Sequence, residues 1–400
     1  MDSVTQAVRS MYERYPYPTR AHGALADMHP GWMASLVAAP PGTPLTVLDA
    51  GCGTGMVALG TASCNPQARV TAADLNRTAL DRLRREASDL KLENLTVVEA
   101  DLATLEGLEP PERGWDVIYS SGVLHHMADP VAGLRHLGEV LSRDGVMRVM
   151  VYGTYGRGPL NRFVEAVDLL WPDRSRLEER LPLARRLMAE AGPDSPVKHP
   201  PWTDTADLDD VEFVDRYLNL HHRSYTVAEL LEWVEQAGLE FLRWFDPPAW
   251  NLEDLLEGGA LRGELREAPE PVKWQVVERL FQRPKLDFLA VRPGTPRRPP
   301  PKAERLAFLQ VALNPQVTLS KRTRLAGSLP VWDNIEACLR DAHTLPLSQV
   351  ELYALELASP GPVPAGELTE RLKPLLGPDR ARETLMRLLA RELLYVPHRT

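Results

Sequence analysis

The sequence has few of the features that mark a disulfide-bonded, zinc-binding or membrane protein. Its 400 residues contain three cysteines, Cys52, Cys64 and Cys338, which are too few and too scattered for a disulfide framework or a zinc site. No apolar run reaches the length of about 18 residues that a membrane span requires. The N-terminus carries charges where a secretory signal needs an apolar stretch. We therefore expect reduced thiols, a cytoplasmic location and no membrane contact.

Basic charge is also scarce. Lysine and arginine number 46 against 55 acidic residues, a formal net charge of −9. This balance argues against a general nucleic-acid-binding protein, because such a protein needs a basic face. Residues 292–324 are a local exception, with eight basic residues and one acid, Glu304. The hydrophobic fraction of 44% and the charged fraction of 25% are typical of a soluble globular protein with two or three folding units.

Short apolar runs alternate with longer amphipathic segments from Thr46 onward. The seven runs are TVLDA, ARVTAADL, NLTVVEADL, WDVIYSSG, GVMRVMVYG, LEFLRWFD and KLDFLAVRP. Strands that alternate with helices predict a parallel sheet covered by helices on both faces. We therefore predict an α/β fold with a doubly wound, mostly parallel seven-stranded sheet.

Proline-rich and helical stretches divide the chain into parts. We predict an N-terminal helical segment over residues 1–44 and a main domain over 45–292, with a helical insertion at 158–222. Residues 293–302 form a proline-rich, semi-rigid linker. Residues 303–400 carry three helical patterns followed by a short apolar strand, which predict a smaller, α-rich, winged-helix-like domain.

The stretch VLDAGCGTG, residues 47–55, follows a predicted strand and opens a predicted helix. Its glycines let the backbone turn sharply and approach a ligand closely, as a nucleotide-binding loop requires. Asp74 ends the second predicted strand, where a carboxylate can accept from both ribose hydroxyls. Asp101 ends the third predicted strand, within reach of an adenine edge. The loop and the two carboxylates predict a nucleotide site at one edge of the sheet.

The motifs VLDAGCGTG, AADLN, EADL and SSGVLHHMADP resemble the successive motifs of class I S-adenosylmethionine (SAM)-dependent methyltransferases. The resemblance covers about residues 1–292. A nicotinamide-binding loop would place its third glycine one residue later than Gly55. The resemblance implies a Rossmann-like fold, SAM as the methyl donor and S-adenosylhomocysteine as the product.

The resemblance also implies roles for single positions. Asp49 helps to hold the ammonium group of SAM. Asp74 binds the ribose and Leu75 lies against the adenine, while Asp101 and Leu102 meet the adenine edge. In the alternative, some of these carboxylates only cap helices. The full set of implied cofactor-binding residues is Asp49, Gly51, Gly53, Gly55, Asp74, Leu75, Asp101, Leu102, Ser120, Tyr12 and Tyr17.

Methyl transfer is an in-line displacement that needs orientation and the exclusion of water, and it requires no metal site. The candidate bases are His125 and His126, because in related methyltransferases this loop lies beside the sulfonium, and a neutral imidazole can accept a proton near pH 7. In the alternative, one imidazole packs under the loop and the other lines the SAM pocket without proton transfer. Weaker candidates are His222 and Arg223 at the acceptor side and Arg20, which either helps to position a carboxylate or is a solvated surface arginine.

Residues 12–18, YERYPYP, combine three tyrosines with two prolines. In methyltransferases that resemble this chain, such a segment covers the cofactor, and tyrosine rings attract a cationic sulfonium. We predict that Tyr12, Tyr15 or Tyr17 forms part of the active-site roof, with Tyr15 on the catalytic side. The alternative is a core plug, which places buried tyrosines far from Gly51–Gly55.

The methyl acceptor is either a small molecule or a protein side chain. Bacterial protein-lysine methyltransferases, which add helical and winged-helix-like parts to a similar catalytic domain, are similar in architecture. One alternative function is a SAM-responsive DNA-binding regulator that acts through the C-terminal domain, and another is a nucleotide-binding scaffold without catalysis. Glu383 and Glu392 interrupt the arginines of the last predicted helix. Protein docking, including a homodimer, is therefore favoured over nucleic acid.

Overall fold

The computed structural model describes residues 2–19, 29–37, 44–199, 208–221, 223–257, 261–326, 329–339 and 343–397. Arg20 and His222, two of the weaker candidates, lie outside these described residues. The chain forms two compact units. The first unit combines Met1–Leu25 with Thr46–Pro293, and the second combines Ala26–Leu45 with Gly294–Thr400. The segment predicted over residues 1–44 is therefore divided between the two units.

The regular elements are numbered here in chain order. The strands are β1 (Thr46–Ala50), β2 (Arg69–Asp74), β3 (Leu95–Glu99), β4 (Trp115–Ser121), β5 (Leu141–Tyr152), β6 (Glu240–Trp244), β7 (Lys285–Val291), β8 (Gln310–Leu313), β9 (Val317–Ala326), β10 (Leu329–Leu339), β11 (His343–Pro346), β12 (Val363–Pro364) and β13 (Leu394–Tyr395). The helices are α1 (Ser3–Arg14), α2 (Pro30–Ala34), α3 (Met56–Cys64), α4 (Arg77–Asp89), α5 (Pro130–Val140), α6 (Gly158–Leu170), α7 (Leu177–Glu190), α8 (Asp210–Phe213), α9 (Val227–Gln236), α10 (Leu252–Leu255), α11 (Arg262–Leu265), α12 (Glu270–Leu280), α13 (Gln349–Leu357), α14 (Ala365–Leu376) and α15 (Pro378–Ala390).

The first unit is built on a seven-stranded sheet in the order β3-β2-β1-β4-β5-β7-β6. The pairs from β3 to β5 are parallel, and β7 runs antiparallel to both of its neighbours. The predicted doubly wound, mostly parallel seven-stranded sheet is confirmed. Because parallel strands place their carboxyl ends at one edge, the loops after β1, β2, β3 and β4 meet there.

The central strands are apolar runs in the sequence because their side chains are buried. Val47, Leu48 and Ala50 of β1 are completely buried, as are Val146 and Met147 of β5. Each such aliphatic side chain contributes roughly 1.5–3 kcal/mol when it is fully removed from water. The sheet is therefore a rigid support for the polar residues at its edge.

The insertion between β5 and α9 is helical, as its sequence pattern predicted. It contains α6, α7 and α8, and α8 continues directly into a π-helical turn over Val214–Leu218. Its own apolar cluster includes Leu160, Phe213 and Tyr217, and Met11 of α1 belongs to the same cluster. The N-terminal helix therefore packs on the insertion, and this packing fixes where the tyrosines after Met11 lie.

The second unit contains the three predicted helices α13, α14 and α15, followed by the short strand β13. It also contains two three-stranded sheets, β11-β10-β9 and β12-β8-β13. The antiparallel pair β9–β10 runs from Val317 opposite Leu339 to Ala326 opposite Leu329. The helical pattern did not indicate these strands, so the winged-helix-like description stays a prediction.

Two of the three arginines of α15, Arg382 and Arg387, are paired with carboxylates. Arg382 contacts Asp379 at 2.7 Å, and Arg387 contacts the buried Glu351 at 3.2 Å. Arg391, directly after the helix, contacts the same glutamate at 3.3 Å. Because most of the arginines of this segment are neutralised by carboxylates, the structure gives no support to the alternative of a DNA-binding regulator.

No helix in the described part of the chain combines the length and the apolar character of a membrane-crossing segment.

Candidate active site

The glycine loop after β1 depends on backbone conformations that favour glycine. Gly51, Gly53 and Gly55 have φ angles of +79°, +53° and +89°, in the left-handed region that other residues rarely adopt. A β-carbon on Gly53 would lie 2.5 Å from the carbonyl oxygen of Tyr17. The loop therefore requires glycine both for its turn and for the close approach of the YERYPYP segment.

Asp74 at the end of β2 is bonded to the glycine loop. Its Oδ2 accepts from the backbone N–H of Gly53 at 2.8 Å, and its Oδ1 accepts from that of Asn76 at 2.8 Å. Burial raises the pKa of Asp74, while these backbone donors act in the opposite direction. A carboxylate has about four acceptor sites, so Asp74 retains the capacity to accept from the hydroxyls of a ligand.

A cavity of about 340 Å³ opens where these loops meet, and the residues that line it belong to the first unit. Its volume lies within the range of about 300–1,000 Å³ that is usual for small-molecule sites. Ten of the predicted site residues line it: Tyr12, Tyr17, Asp49, Gly51, Gly53, Asp74, Leu75, Asp101, Leu102 and His126. The cavity therefore joins the glycine loop, both strand-end carboxylates and the aromatic segment.

Four predicted site residues are not among those that line the cavity. Gly55 packs the loop against α4, since a β-carbon there would lie 2.2 Å from Leu83 Cδ1. Ser120 is completely buried in β4, and its neighbour Ser121 lines the cavity instead. The other two, Tyr15 and His125, are described below with their surroundings.

Asp49 presents an unusual buried carboxylate. It is 4% exposed, and its Oδ2 has no hydrogen-bond partner among the described residues. Burial raises the pKa of Asp49 to about 7, and the charge of Asp74 adds to this effect. A buried, unpaired carboxylate oxygen is costly unless a ligand satisfies it. The residue therefore fits a cationic group at the glycine loop.

The YERYPYP segment lies on the glycine loop. The carbonyl oxygen of Tyr17 accepts from the backbone N–H of Thr54 at 3.3 Å, and that of Pro18 accepts from the Thr54 hydroxyl at 2.8 Å. The carbonyl oxygen of Tyr12 accepts from Asn76 Nδ2 at 2.7 Å. These contacts contradict the core-plug alternative. Tyr15, in contrast, packs against the apolar cluster of the insertion.

Tyr12 is the centre of a hydrogen-bonded group of side chains, which we call the Tyr12 cluster: Tyr12, His126, Asp215 and Asn219. Tyr12 Oη donates to Asp215 Oδ1 at 2.6 Å and accepts from Asn219 Nδ2 at 2.9 Å. His126 Nε2 lies 3.3 Å from the same oxygen. The cluster connects α1, the loop after β4 and the insertion at one end of the cavity.

Sequence reasoning missed Asp215 and Asn219. They stand four residues apart in a helical stretch, so one polar face of that stretch was a signal available in the sequence. The π-helical turn that carries Asp215 could not be read from the pattern, although such turns occur frequently at functional sites.

The two histidines of the loop after β4 have different surroundings. His126 Nδ1 lies 2.7 Å from the carbonyl oxygen of His221. Because a carbonyl only accepts, Nδ1 carries the proton. Burial lowers the pKa of His126 to about 4, so the ring is neutral near pH 7 and its Nε2 holds a lone pair. His125 is completely buried and stacks on Tyr152 with ring centroids 3.8 Å apart.

Charges of both signs surround this end of the cavity. Arg157 lies over the ring of Tyr152, with its guanidinium carbon 3.5 Å from the centroid. Lys285 lines the cavity from β7, opposite Tyr152 in the strand register. Burial lowers the pKa of Lys285 and raises that of Asp215. Within the described ranges, no group of three or more metal-ligating side chains is placed to hold an ion.

The fold and the site together define a nucleotide-binding α/β enzyme with its site at the carboxyl edge of a parallel sheet. Residues 48–147 match the family model described as a methyltransferase domain. The chain is 29% identical to an uncharacterized protein of Synechococcus over 299 residues, which are 70% of this chain and 69% of that protein. It is 42% identical to a release factor glutamine methyltransferase of Rhodopirellula baltica over 77 residues, 19% of this chain and a quarter of that protein (25%).

A solved structure supports the same fold over nearly the whole chain. The structure of PKMT2 from Rickettsia typhi in complex with AdoHcy superimposes with a TM-score of 0.67 at 17% identity, covering 96% of this chain and 77% of that one. This chain therefore contains a methyltransferase domain over residues 48–147 and shares the fold of that solved structure.

Proposed function

We propose that the cavity binds SAM with the nucleoside near Asp74 and Asp101 and with the methionine part along Gly51 and Gly53. One observation carries this orientation: a single cavity is lined by both strand-end carboxylates, by the glycine loop and by the Tyr12 cluster. When bound, SAM supplies a methyl group that is already activated on a sulfonium. Tyr12 and His126 line the same cavity and would form part of the wall around the methyl-transfer region.

Asp49 is the residue we assign to the ammonium group of SAM. Its buried Oδ2 lacks a partner among the described residues, and burial raises its pKa to about 7. A nearby cation favours the ionised form of a carboxylate. Binding of the ammonium group and ionisation of Asp49 therefore reinforce each other.

The remaining contributions of the chain are orientation and the exclusion of water. The carbonyls of Tyr17 and Pro18 anchor the aromatic segment on the loop, so that this segment covers the methionine end of the cavity. Orientation alone contributes about 7–11 kcal/mol to a barrier in favourable cases. A neutral His126 with a pKa of about 4 is a weak base, so we assign it to the cavity wall rather than to proton transfer.

The acceptor, in this proposal, is a small molecule or a protein side chain that enters beside the Tyr12 cluster. The similarity to the release factor glutamine methyltransferase covers only 19% of this chain, so the acceptor of that enzyme is not assigned to this chain. The proposal therefore depends on the chemistry of the cavity.

Calorimetric titration with S-adenosylhomocysteine tests the proposed site. The wild-type chain is expected to bind, and Asp74→Ala is expected to bind at least about tenfold more weakly, since charged hydrogen bonds contribute about 1.5–3 kcal/mol each. Asp81→Asn is the matched control, because Asp81 is exposed on the neighbouring helix and pairs only with Arg84 among the described residues. Equal affinity in Asp74→Ala and wild type would contradict the assignment.

Incubation of the chain with methyl-labelled SAM and a cell extract then tests transfer. Label is expected in either the protein fraction or the small-molecule fraction, and it should disappear in Asp74→Ala. Label confined to nucleic acid would contradict the proposed acceptor classes.

A further inference from the structure

The insertion delivers a buried carboxylate to the cavity wall, beside Tyr12. Asp215 is 7% exposed, lines the cavity, and accepts from Tyr12 Oη at 2.6 Å. A carboxylate taken out of water is strongly destabilising unless it is paired. Here the neutral side chains of Tyr12 and Asn219 hydrogen-bond to it, and because a carboxylate has about four acceptor sites, acceptor capacity remains for a ligand.

The proton positions in the Tyr12 cluster follow from its geometry. The single hydroxyl proton of Tyr12 is donated to Asp215, and Asn219 Nδ2 donates to the same hydroxyl oxygen. His126 has its proton on Nδ1, which faces the carbonyl of His221. His126 Nε2 and Tyr12 Oη, 3.3 Å apart, therefore have no proton between them. The cluster consequently offers a ligand the acceptor atoms of Asp215 and of His126 Nε2.

Aromatic faces add to this acceptor character. Tyr12, Tyr17 and Tyr152 also line the cavity, and the face of a tyrosine ring attracts a cation. Carboxylate oxygen, imidazole lone pair and aromatic faces together favour a ligand that is cationic and carries several N–H donors.

We propose that Asp215 receives an amine acceptor: it binds the ammonium group, takes one proton from it, and so releases the nitrogen lone pair for methylation. This inference rests on the proposed SAM site and names the acceptor class. The ammonium group, R–NH₃⁺, gives a proton to the carboxylate and becomes R–NH₂. The nitrogen lone pair forms the new N–CH₃ bond, and the electron pair of the breaking C–S bond goes to sulfur. The product is R–NH₂⁺–CH₃, and the proton on Asp215 passes to solvent.

Charge movement explains why this arrangement selects nitrogen. Asp215, as a carboxylate, attracts the ammonium group before it takes the proton. Transfer to the neutral amine then moves one positive charge from sulfur to nitrogen, towards the aromatic faces, and fixed groups that face developing charge lower a barrier. A phenolate or carboxylate acceptor arrives as an anion and leaves neutral, so Asp215 would repel it.

The charged and titratable groups that act on Asp215 come from several elements. Tyr12 faces it from α1, Arg157 from the start of α6, and Arg216 from its own turn. Burial raises the pKa of Asp215, and the two arginines act in the opposite direction. A carboxylate with a raised pKa is a better proton acceptor than an exposed one. Lys285 also lines the cavity and is the feature that would favour an anionic acceptor instead.

Three probes of the same shape separate these possibilities: benzylamine, benzyl alcohol and benzoate, titrated calorimetrically into the full chain saturated with S-adenosylhomocysteine at neutral pH. Benzylamine, which is then a cation, should bind at least about tenfold more tightly than the alcohol, and benzoate should bind most weakly. Asp215→Asn should remove the preference for the amine. Asp210→Asn is the matched control and should keep this preference. The substitution also removes a carboxylate charge, but Asp210 is exposed at the start of α8, where it pairs with Arg185.

Binding of S-adenosylhomocysteine is measured first in each variant, because it shows both that the variant is folded and that the proposed SAM site is intact. Failure of the wild-type chain to bind it would refute the proposed function. Three outcomes would refute only the acceptor assignment, provided that S-adenosylhomocysteine binds. They are the absence of a preference for benzylamine, a preference for benzoate, and a preference for benzylamine that survives Asp215→Asn. Undetectable benzylamine binding at millimolar concentration would also count against it. With labelled SAM, mass-spectrometric detection of N-methylbenzylamine that requires Asp215 would support the proton transfer as well as the binding.

Discussion

Replacing Gly53 by alanine tests how the aromatic segment and the glycine loop depend on each other. The φ angle of +53° at Gly53 carries a cost of about 1–2 kcal/mol for a residue with a side chain. The new β-carbon would lie 2.5 Å from the Tyr17 carbonyl oxygen, and real β-carbons essentially never approach below 3.0 Å, so at least 0.5 Å of movement is required. The movement displaces the segment from the cavity wall that Tyr17 forms.

Gly238→Ala is the matched control. Gly238 has a similar φ angle of +71°, but a β-carbon there meets nothing within 4 Å. Both variants should lose about 1–2 kcal/mol from the left-handed conformation, which lowers the melting temperature by about 2–8 °C in a unit of this size. Only Gly53→Ala should weaken binding of S-adenosylhomocysteine, by at least about tenfold, or 1.4 kcal/mol.

Calorimetric titration and thermal melts of the two variants decide the matter. Unchanged ligand affinity in Gly53→Ala would refute the dependence of the site on this contact. An equal loss of affinity in Gly238→Ala would show that general destabilisation, and not the displaced segment, is responsible.

Three further outcomes are expected. Burial raises the pKa of Asp49 from 3.8 to about 7, so the folded chain binds this proton more readily than the unfolded chain. The contribution to stability is therefore lost as the pH rises from about 4 to about 7. Thermal melts across this range should show a smaller loss of stability in Asp49→Asn than in wild type, whereas Asp81→Asn should behave like wild type. Burial lowers the pKa of His126 from 6.5 to about 4, so its contribution has the opposite sign and stability is lost as the pH falls through that range. His126→Gln should remove this loss of stability at acidic pH. The same pH dependence of stability in His126→Gln and wild type would contradict the buried, neutral ring. Ser348 begins α13 with a capping box, so Ser348→Ala should lower the unfolding free energy of the second unit by about 1 kcal/mol in a denaturant titration, and a changed affinity for S-adenosylhomocysteine would be unexpected.

Much of the first unit could be predicted from local patterns. The spacing of apolar residues along the chain marks strands and helices, and the glycine loop with Asp74 and Asp101 marks the edge of the sheet. The roof prediction was specific enough to identify Tyr12 and Tyr17, which line the cavity. Tyr15 and His125 belong to the same short motifs, but neither lines the cavity. Adjacent residues in a turn point in different directions, and a motif does not say which of them faces the ligand.

The second unit was predicted less completely. The amphipathic patterns of α13–α15 were clear, whereas the long pair β9–β10 begins within the basic stretch 292–324, beyond the predicted linker, where no strand was predicted. Strand pairing depends on a partner elsewhere in the chain, so an isolated polar strand carries a weak signal.

The sequence by itself determined the order of strands and helices, the loop that binds a nucleotide and the carboxylates at the strand ends, because each of these depends on spacing within a few residues. Only the tertiary structure decided what meets Tyr12. Asp215 and Asn219 are 203 and 207 residues away from it, and their approach depends on how the insertion packs against α1 through Met11 and Tyr217. Apolar packing sets that position, and the polar contacts of the Tyr12 cluster in the cavity wall are its consequence.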